Sequence, residues 1–307
     1  GGGAKRPLFS AFRSAPGEML AFFSKTESVL DILSPAAYNA DGKLTFHFSK
    51  KQSEDEITLS EQGSDGGQEE IGMKFVIEHL SKAFGPKEVL RDIDFSFESG
   101  RIYGLLGRNG AGKTTLFNCL NRDINADGGS FYLEDNGARR AVEAEDIGYV
   151  LSTPTVPEFL TGREFLKFFM DINAGSIHSP RSIDDYFDAM SIAPEDRDKL
   201  LKDYSHGMKN KMQMLINIIA QPNILLLDEP LTSLDVVVAE EMKQLLRSLK
   251  EGRITIFSTH ILDLALDLCD EIVLLSHGEL EVVEKSNLDN HDFKEKIIAA
   301  LREETYE

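Results

Sequence analysis

Residues Gly107 to Thr115 read Gly-Arg-Asn-Gly-Ala-Gly-Lys-Thr-Thr, and this stretch constrains the fold more than any other. It fits G-x-x-x-x-G-K-[ST], a loop whose small residues let successive backbone N–H groups turn toward one phosphate. Such a loop needs a strand before it and a helix after it. Ile102-Tyr103-Gly104-Leu105-Leu106 is a short apolar strand candidate, and Thr115-Leu116-Phe117-Asn118-Cys119-Leu120 continues as a helix. That helix points its positive end at the anion. Lys113 is placed to reach β- and γ-phosphates, and the Thr114 hydroxyl to bind Mg²⁺.

A chain of 307 residues has room for one large domain or two modest ones. Its net charge of −19 argues against nucleic acid as the main partner, because phosphate backbones need clustered Lys and Arg. It argues equally against direct docking on anionic lipid. Cys119 and Cys269 lie far apart, lack C-x-x-C spacing and sit in apolar surroundings, so they read as buried reduced thiols. No apolar run is long enough to span a membrane, and no secretory signal is visible. The Gly-Gly-Gly start without Met reads as an expression scar or an internal cut.

Residues 1–72 differ from the rest. Leu44, Phe46 and Phe48, then Ile57 and Leu59, alternate with polar residues as two short strands would. Met19, Phe22, Phe23, Val29, Leu30 and Leu33 fit a helical face, and Ser60 to Glu70 reads as an acidic linker. This extension carries no chemical motif and reads as an appended or partly disordered segment of unknown role. From Met73 the pattern sharpens. Strands are expected at Met73 to His79, at Ile93, Phe95 and Phe97, at Phe131 to Leu133 and at Ile147 to Val150. Apolar runs at Ile224–Leu227, Ile254–Phe257 and Ile272–Leu275 read as buried strands, with helical patterns between them. Such alternation implies a mostly parallel sheet covered on both faces. The stretch from Phe159 to Tyr204 reads as helices only, and 286–307 as an acidic helical tail.

Two further sites carry chemistry. Ile224-Leu225-Leu226-Leu227-Asp228-Glu229 is an apolar strand ending in two carboxylates. Asp228 there suits Mg²⁺, and Glu229 suits a general base orienting a water. Tyr204-Ser205-His206-Gly207-Met208 opens a helix with Ser205 as its cap, and small residues at a helix N-terminus make an anion site. Met208, Met212, Leu215, Ile216 and Ile219 follow at helical spacing and read as core. His260 ends the Ile254 strand, where ligands of parallel sheets gather, and reads as a γ-phosphate contact.

In this order and spacing, the pieces resemble the nucleotide-binding subunit of an ATP-binding cassette (ABC) transporter, over about Met73 to Val283. Gly107–Thr115 matches Walker A, Leu225–Glu229 matches Walker B, and Ser205–Met208 matches the signature segment with His206 in place of a glycine. Leu231–Asp235 matches the D-loop, and His260 the switch histidine. The resemblance implies an α/β P-loop NTPase at 73–285, with a RecA-like parallel sheet, an antiparallel β subdomain and an α-helical signature subdomain at about 155–210. It implies ATP as ligand, with Phe84 against the adenine and Gly107, Asn109, Gly110, Ala111, Gly112, Lys113, Thr114 and Thr115 on the phosphates. Ser205, Gly207 and Asp235 would complete the site of a second nucleotide-binding subunit, the same or different in sequence. Catalysis would rest on Glu229, His260 and Lys113, and Mg²⁺ on Thr114, Asp228 and Ser152. Ser152 departs from the pattern, because the family usually has Gln there; its metal contact would run through water.

The resemblance further implies a transmembrane permease partner and a peripheral place on the cytoplasmic face of the cell membrane. The Tyr-Ser-His-Gly-Met signature is similar to bacterial exporters of the ABC-2 type. The alternatives are an ABC ATPase acting on ribosomes or DNA, and a regulatory protein that binds ATP without turnover.

Overall fold

The computed structural model describes residues 72–175, 177, 181–232 and 234–283, together with 297 and 301. The strands and helix expected within 1–71 therefore lie outside the described residues. Of the tail, only Ile297 and Leu301 are described; both are helical and Ile297 is buried.

Two sheets share one core. The larger has six strands in the order β10-β9-β3-β8-β7-β6. These are β3 (Arg101–Leu106), β6 (Ile147–Val150), β7 (Ile224–Asp228), β8 (Ile254–Thr259), β9 (Glu271–Ser276) and β10 (Glu279–Val283). All neighbours run parallel except β10, which is antiparallel to β9. The smaller sheet is antiparallel, ordered β2-β1-β4-β5, from β1 (Lys74–Phe84), β2 (Lys87–Glu98), β4 (Gly128–Asp135) and β5 (Ala138–Ala141).

Alternation sorts the side chains. Phe75, Ile77, Ile93 and Phe97 of the small sheet meet Tyr103, Leu226, Ile256 and Val273 of the large one, with Phe117 of α1 (Lys113–Leu120) between them. Phe97 and Tyr103 pack edge to face at 4.9 Å between ring centres. The opposite face of the large sheet is covered by α5 (Val236–Ser248) and α6 (Leu262–Leu268), which bury Met242, Leu246, Ala265 and Leu268. Burial on both faces explains why β7 reads as an apolar run up to Asp228, and why β8 reads as one interrupted by Thr255.

Between β6 and α4 (His206–Ala220) the chain inserts α2 (Gly162–Ile172), α3 (Ile183–Ala189) and a 3₁₀ turn at Leu201–Asp203. Thr161 with Glu164, and Ser182 with Asp185, form capping boxes that fix where α2 and α3 begin. Phe165, Leu166, Phe187 and Leu201 form the core of this insert. Among the described residues of 159–204 the regular elements are helical, and the one extended pairing is an isolated bridge between Thr161 and Leu200. Strands β5 and β10 were not expected from the sequence, and β1 and β4 run further than expected.

Candidate functional site

The loop from Gly107 to Gly112 joins the C-terminal end of β3 to α1, beside the ends of β7 and β8. Two glycines hold backbone that other residues rarely adopt: φ is +82° at Gly110 and +112° at Gly112. A Cβ on Gly112 would also lie 2.9 Å from Val89 Cγ1. The loop therefore closes on itself, and the Lys113 ammonium sits inside it. Lys113 Nζ donates to Gly107 O at 2.7 Å and Arg108 O at 3.1 Å, and lies 3.4 Å from Glu229 Oε1. Burial holds this ammonium below the ordinary lysine value, against the opposing pull of Glu229 and Asp228.

The carboxylates at the end of β7 meet this loop from the side. Thr114 Oγ1 donates to Asp228 Oδ2 at 2.8 Å. Ser258, opposite Asp228 in the β7–β8 register, donates its hydroxyl to Asp228 Oδ1 at 2.7 Å and accepts the Glu229 amide at 2.9 Å. Asp228 and Ser258 are buried. Glu229 itself has φ +47°, a conformation uncommon outside glycine and concentrated at functional sites. That turn brings its Oε1 3.1 Å from His260 Nδ1, and Oε2 accepts from the Thr232 hydroxyl at 3.3 Å. Sequence reasoning assigns Ser258 no role. A buried serine at the tip of an apolar strand, in register with Asp228, was the signal that it braces both carboxylates.

Phe84 ends β1 with its ring 51% exposed, at the mouth of a pocket of about 310 Å³. Asn109, Gly110, Gly112, Lys113, Thr114, Thr115 and Glu229 are among the residues lining it. The pocket thus brings together an apolar ring, the Lys113 ammonium, the Thr114 hydroxyl and the Glu229 carboxylate. The oxygen set of Thr114 and Asp228 suits a hard cation such as Mg²⁺.

Other expected residues lie elsewhere. Ser205, Gly207 and Asp235 do not line the pocket. Ser205 caps α4 by accepting from Met208 N at 3.2 Å, and Asp235 caps α5 by accepting from Val237 N and Val238 N. Ser152 is exposed, two residues beyond β6, and the bonds around Asp228 do not include it. Both cysteines are buried, and burial pushes the Cys119 thiol up to about 11.

Residues 90–232 match the sequence profile of the ABC transporter family. The chain is 36% identical over 209 residues to an uncharacterized ABC transporter ATP-binding protein of Methanocaldococcus jannaschii, covering 67% of this chain and 75% of that one. It is 31% identical over 251 residues to the bacitracin transport ATP-binding protein BcrA of Enterococcus faecalis, covering 76% and 80%. A solved structure of an ATP binding subunit of an ABC transporter shares the fold, with TM-score 0.62 at 22% identity over 75% of this chain and 99% of that one.

Proposed function

The chain belongs to the ABC transporter ATP-binding family, whose members are ATPases, and from that premise we propose that it drives export through a separate membrane-embedded permease. One observation carries the assignment of roles: Lys113, Thr114 and Glu229 line one pocket together with an exposed Phe84 ring, while Asp228 and His260, outside its lining, bond to Thr114 and Glu229. Phe84 stacks on adenine. The loop amides and Lys113 hold the β- and γ-phosphates. Thr114 and Asp228 would hold Mg²⁺, which supplies neutralisation of phosphate charge when bound. Glu229 takes a proton from the attacking water, and His260 fixes the orientation of that carboxylate. We assign residues 73–285 to this ATPase unit.

A second nucleotide-binding subunit completes the site. Gly207 supports this reading. An added Cβ there would touch Leu234 and Val238 only at 3.8 Å, so alanine fits within the chain. Glycine in a helix is about 1 kcal/mol worse than alanine. Its smallness serves close approach from outside, at the N-terminus of α4 where backbone N–H groups are free for an anion. Val236 and Val237, 86% and 68% exposed at the head of α5, offer the apolar contact such a pairing needs. On the helical insert, exposed Phe159 suits the permease. Among the described residues no helix is long and apolar enough to cross a membrane. The direction rests on the Tyr204–Met208 signature, which is similar to that of bacterial exporters.

Affinity purification of the tagged chain from detergent-solubilised membranes tests this. A polytopic membrane protein should co-purify in stoichiometric amount. Recovery with ribosomes instead, and no membrane protein, would refute the transport reading.

A further inference from the structure

The end of β1 loses its neighbour before the strand itself ends. Its ladder with β4 closes at the Ser81–Gly128 pair, yet β1 continues through Lys82 and Ala83 to Phe84. The pairing with β2 is irregular over the same residues, shifting between Leu80 and Lys82 and again between Lys82 and Ala83. Three residues that carry the exposed ring are thus held by a broken ladder on one side and none on the other.

Asp127 stands where the missing strand would be. Its backbone N–H donates to Ser81 O at 2.9 Å. One carboxylate oxygen accepts from Ala83 N at 2.7 Å, and the other from Lys82 Nζ at 2.7 Å. The Lys82 ammonium in turn sits 5.4 Å from the centre of the Phe84 ring, within cation–π range. The Lys82 hydrogen bond and then the Ala83 N–H hold the Asp127 carboxyl below the usual carboxylate range, so it stays ionised at neutral pH.

We infer that Asp127 and Lys82 are positioning residues for the nucleotide base: they set the height and tilt of the Phe84 ring without touching the nucleotide's phosphates. The inference rests on the placement of adenine against Phe84 proposed above. A carboxylate that grips both a backbone amide and the cation behind the ring couples strand and ring into one rigid piece. Without it, Ala83 N–H turns to water and the hairpin tip is free to pivot, so the ring meets the base in many orientations instead of one.

The test compares two ligands on the full-length chain: ATP, and inorganic tripolyphosphate, which has the phosphates but no base. Phe84→Ala should weaken ATP binding about ten-fold or more and leave tripolyphosphate unchanged, since a stacked base is worth that much. Asp127→Ala should weaken ATP on the order of five-fold, again sparing tripolyphosphate. In the Phe84→Ala background it should have no further effect on ATP. Loss of both ligands in Asp127→Ala would overturn the positioning role in favour of a general structural one. So would an Asp127→Ala variant that binds ATP as the parent does while Phe84→Ala does not. If Phe84→Ala itself leaves the ratio of the two affinities unchanged, the adenine placement falls, and this inference with it.

Discussion

Replacing Glu229 with glutamine should move turnover and affinity in opposite directions. The substitution keeps the side chain's size and removes its charge. Glu229 Oε1 lies 3.1 Å from His260 Nδ1 and 3.4 Å from Lys113 Nζ, with the side chain 20% exposed. In the proposed role of general base it would contribute about 10²–10⁴-fold to kcat, and that factor should vanish. On the proposed placement of ATP the same carboxylate would also oppose binding, because it would share Lys113 with the terminal phosphate. Two like charges about 5 Å apart, at an effective dielectric of about 40, repel by roughly 1.5 kcal/mol. Relieving that repulsion tightens ATP about ten-fold. Phosphate release measures the first effect and titration calorimetry with ATP the second. A glutamine variant that hydrolyses within a few-fold of the parent would remove Glu229 from the chemistry. One that binds ATP more weakly would show that the carboxylate holds the loop open for ligand rather than competing with it.

Asp146 accepts from Arg140 at 2.6 and 2.7 Å, from Glu143 N at 2.8 Å and from Asn223, and is buried at the entry to β6. Asp146→Ala should lower stability to urea by about 2–3 kcal/mol. Burial alone would raise this carboxyl, but the Arg140 pair, the Glu143 amide and Asn223 outweigh it and hold it low. A depressed folded value means the contribution is complete above the unfolded value of about 3.9 and lost as pH falls below it; the alanine variant should therefore show a flatter acid limb. Gly207→Ala should leave the melting temperature of the isolated chain unchanged or raised, while ATP-dependent self-association, read by light scattering, falls. A melting temperature that drops instead would show that the glycine serves the chain's own packing. Cys119, with its thiol pushed up to about 11 and buried, should resist alkylation at pH 8 until denaturant is added.

What the sequence disclosed follows from how local each signal is. The loop at Gly107–Thr115 and the strand ending in Asp228 and Glu229 are written in consecutive residues, and both sit where expected. Strands buried on both faces announce themselves as apolar runs, as β7 and β8 do. Strand β5 could not be seen, because Ala-Arg-Arg-Ala is exposed throughout at a sheet edge and has no apolar face to alternate. Strand β10 is mostly exposed too, and it is held by its hairpin to β9 rather than by burial. Ser258 and Asp127 act across 30 and 44 residues of sequence, on Asp228 and Ala83, so only the folded register reveals them.

The strand order has a further consequence. β8 lies between β3, which delivers the phosphate loop, and β7, which delivers the carboxylates, and it bonds to both along its length. The two halves of the chemistry cannot drift apart without tearing ladders on either flank. The helical insert instead hangs from β6, the outermost strand. Substitutions in the insert therefore leave untouched the ladders that tie the phosphate loop to the two acidic side chains.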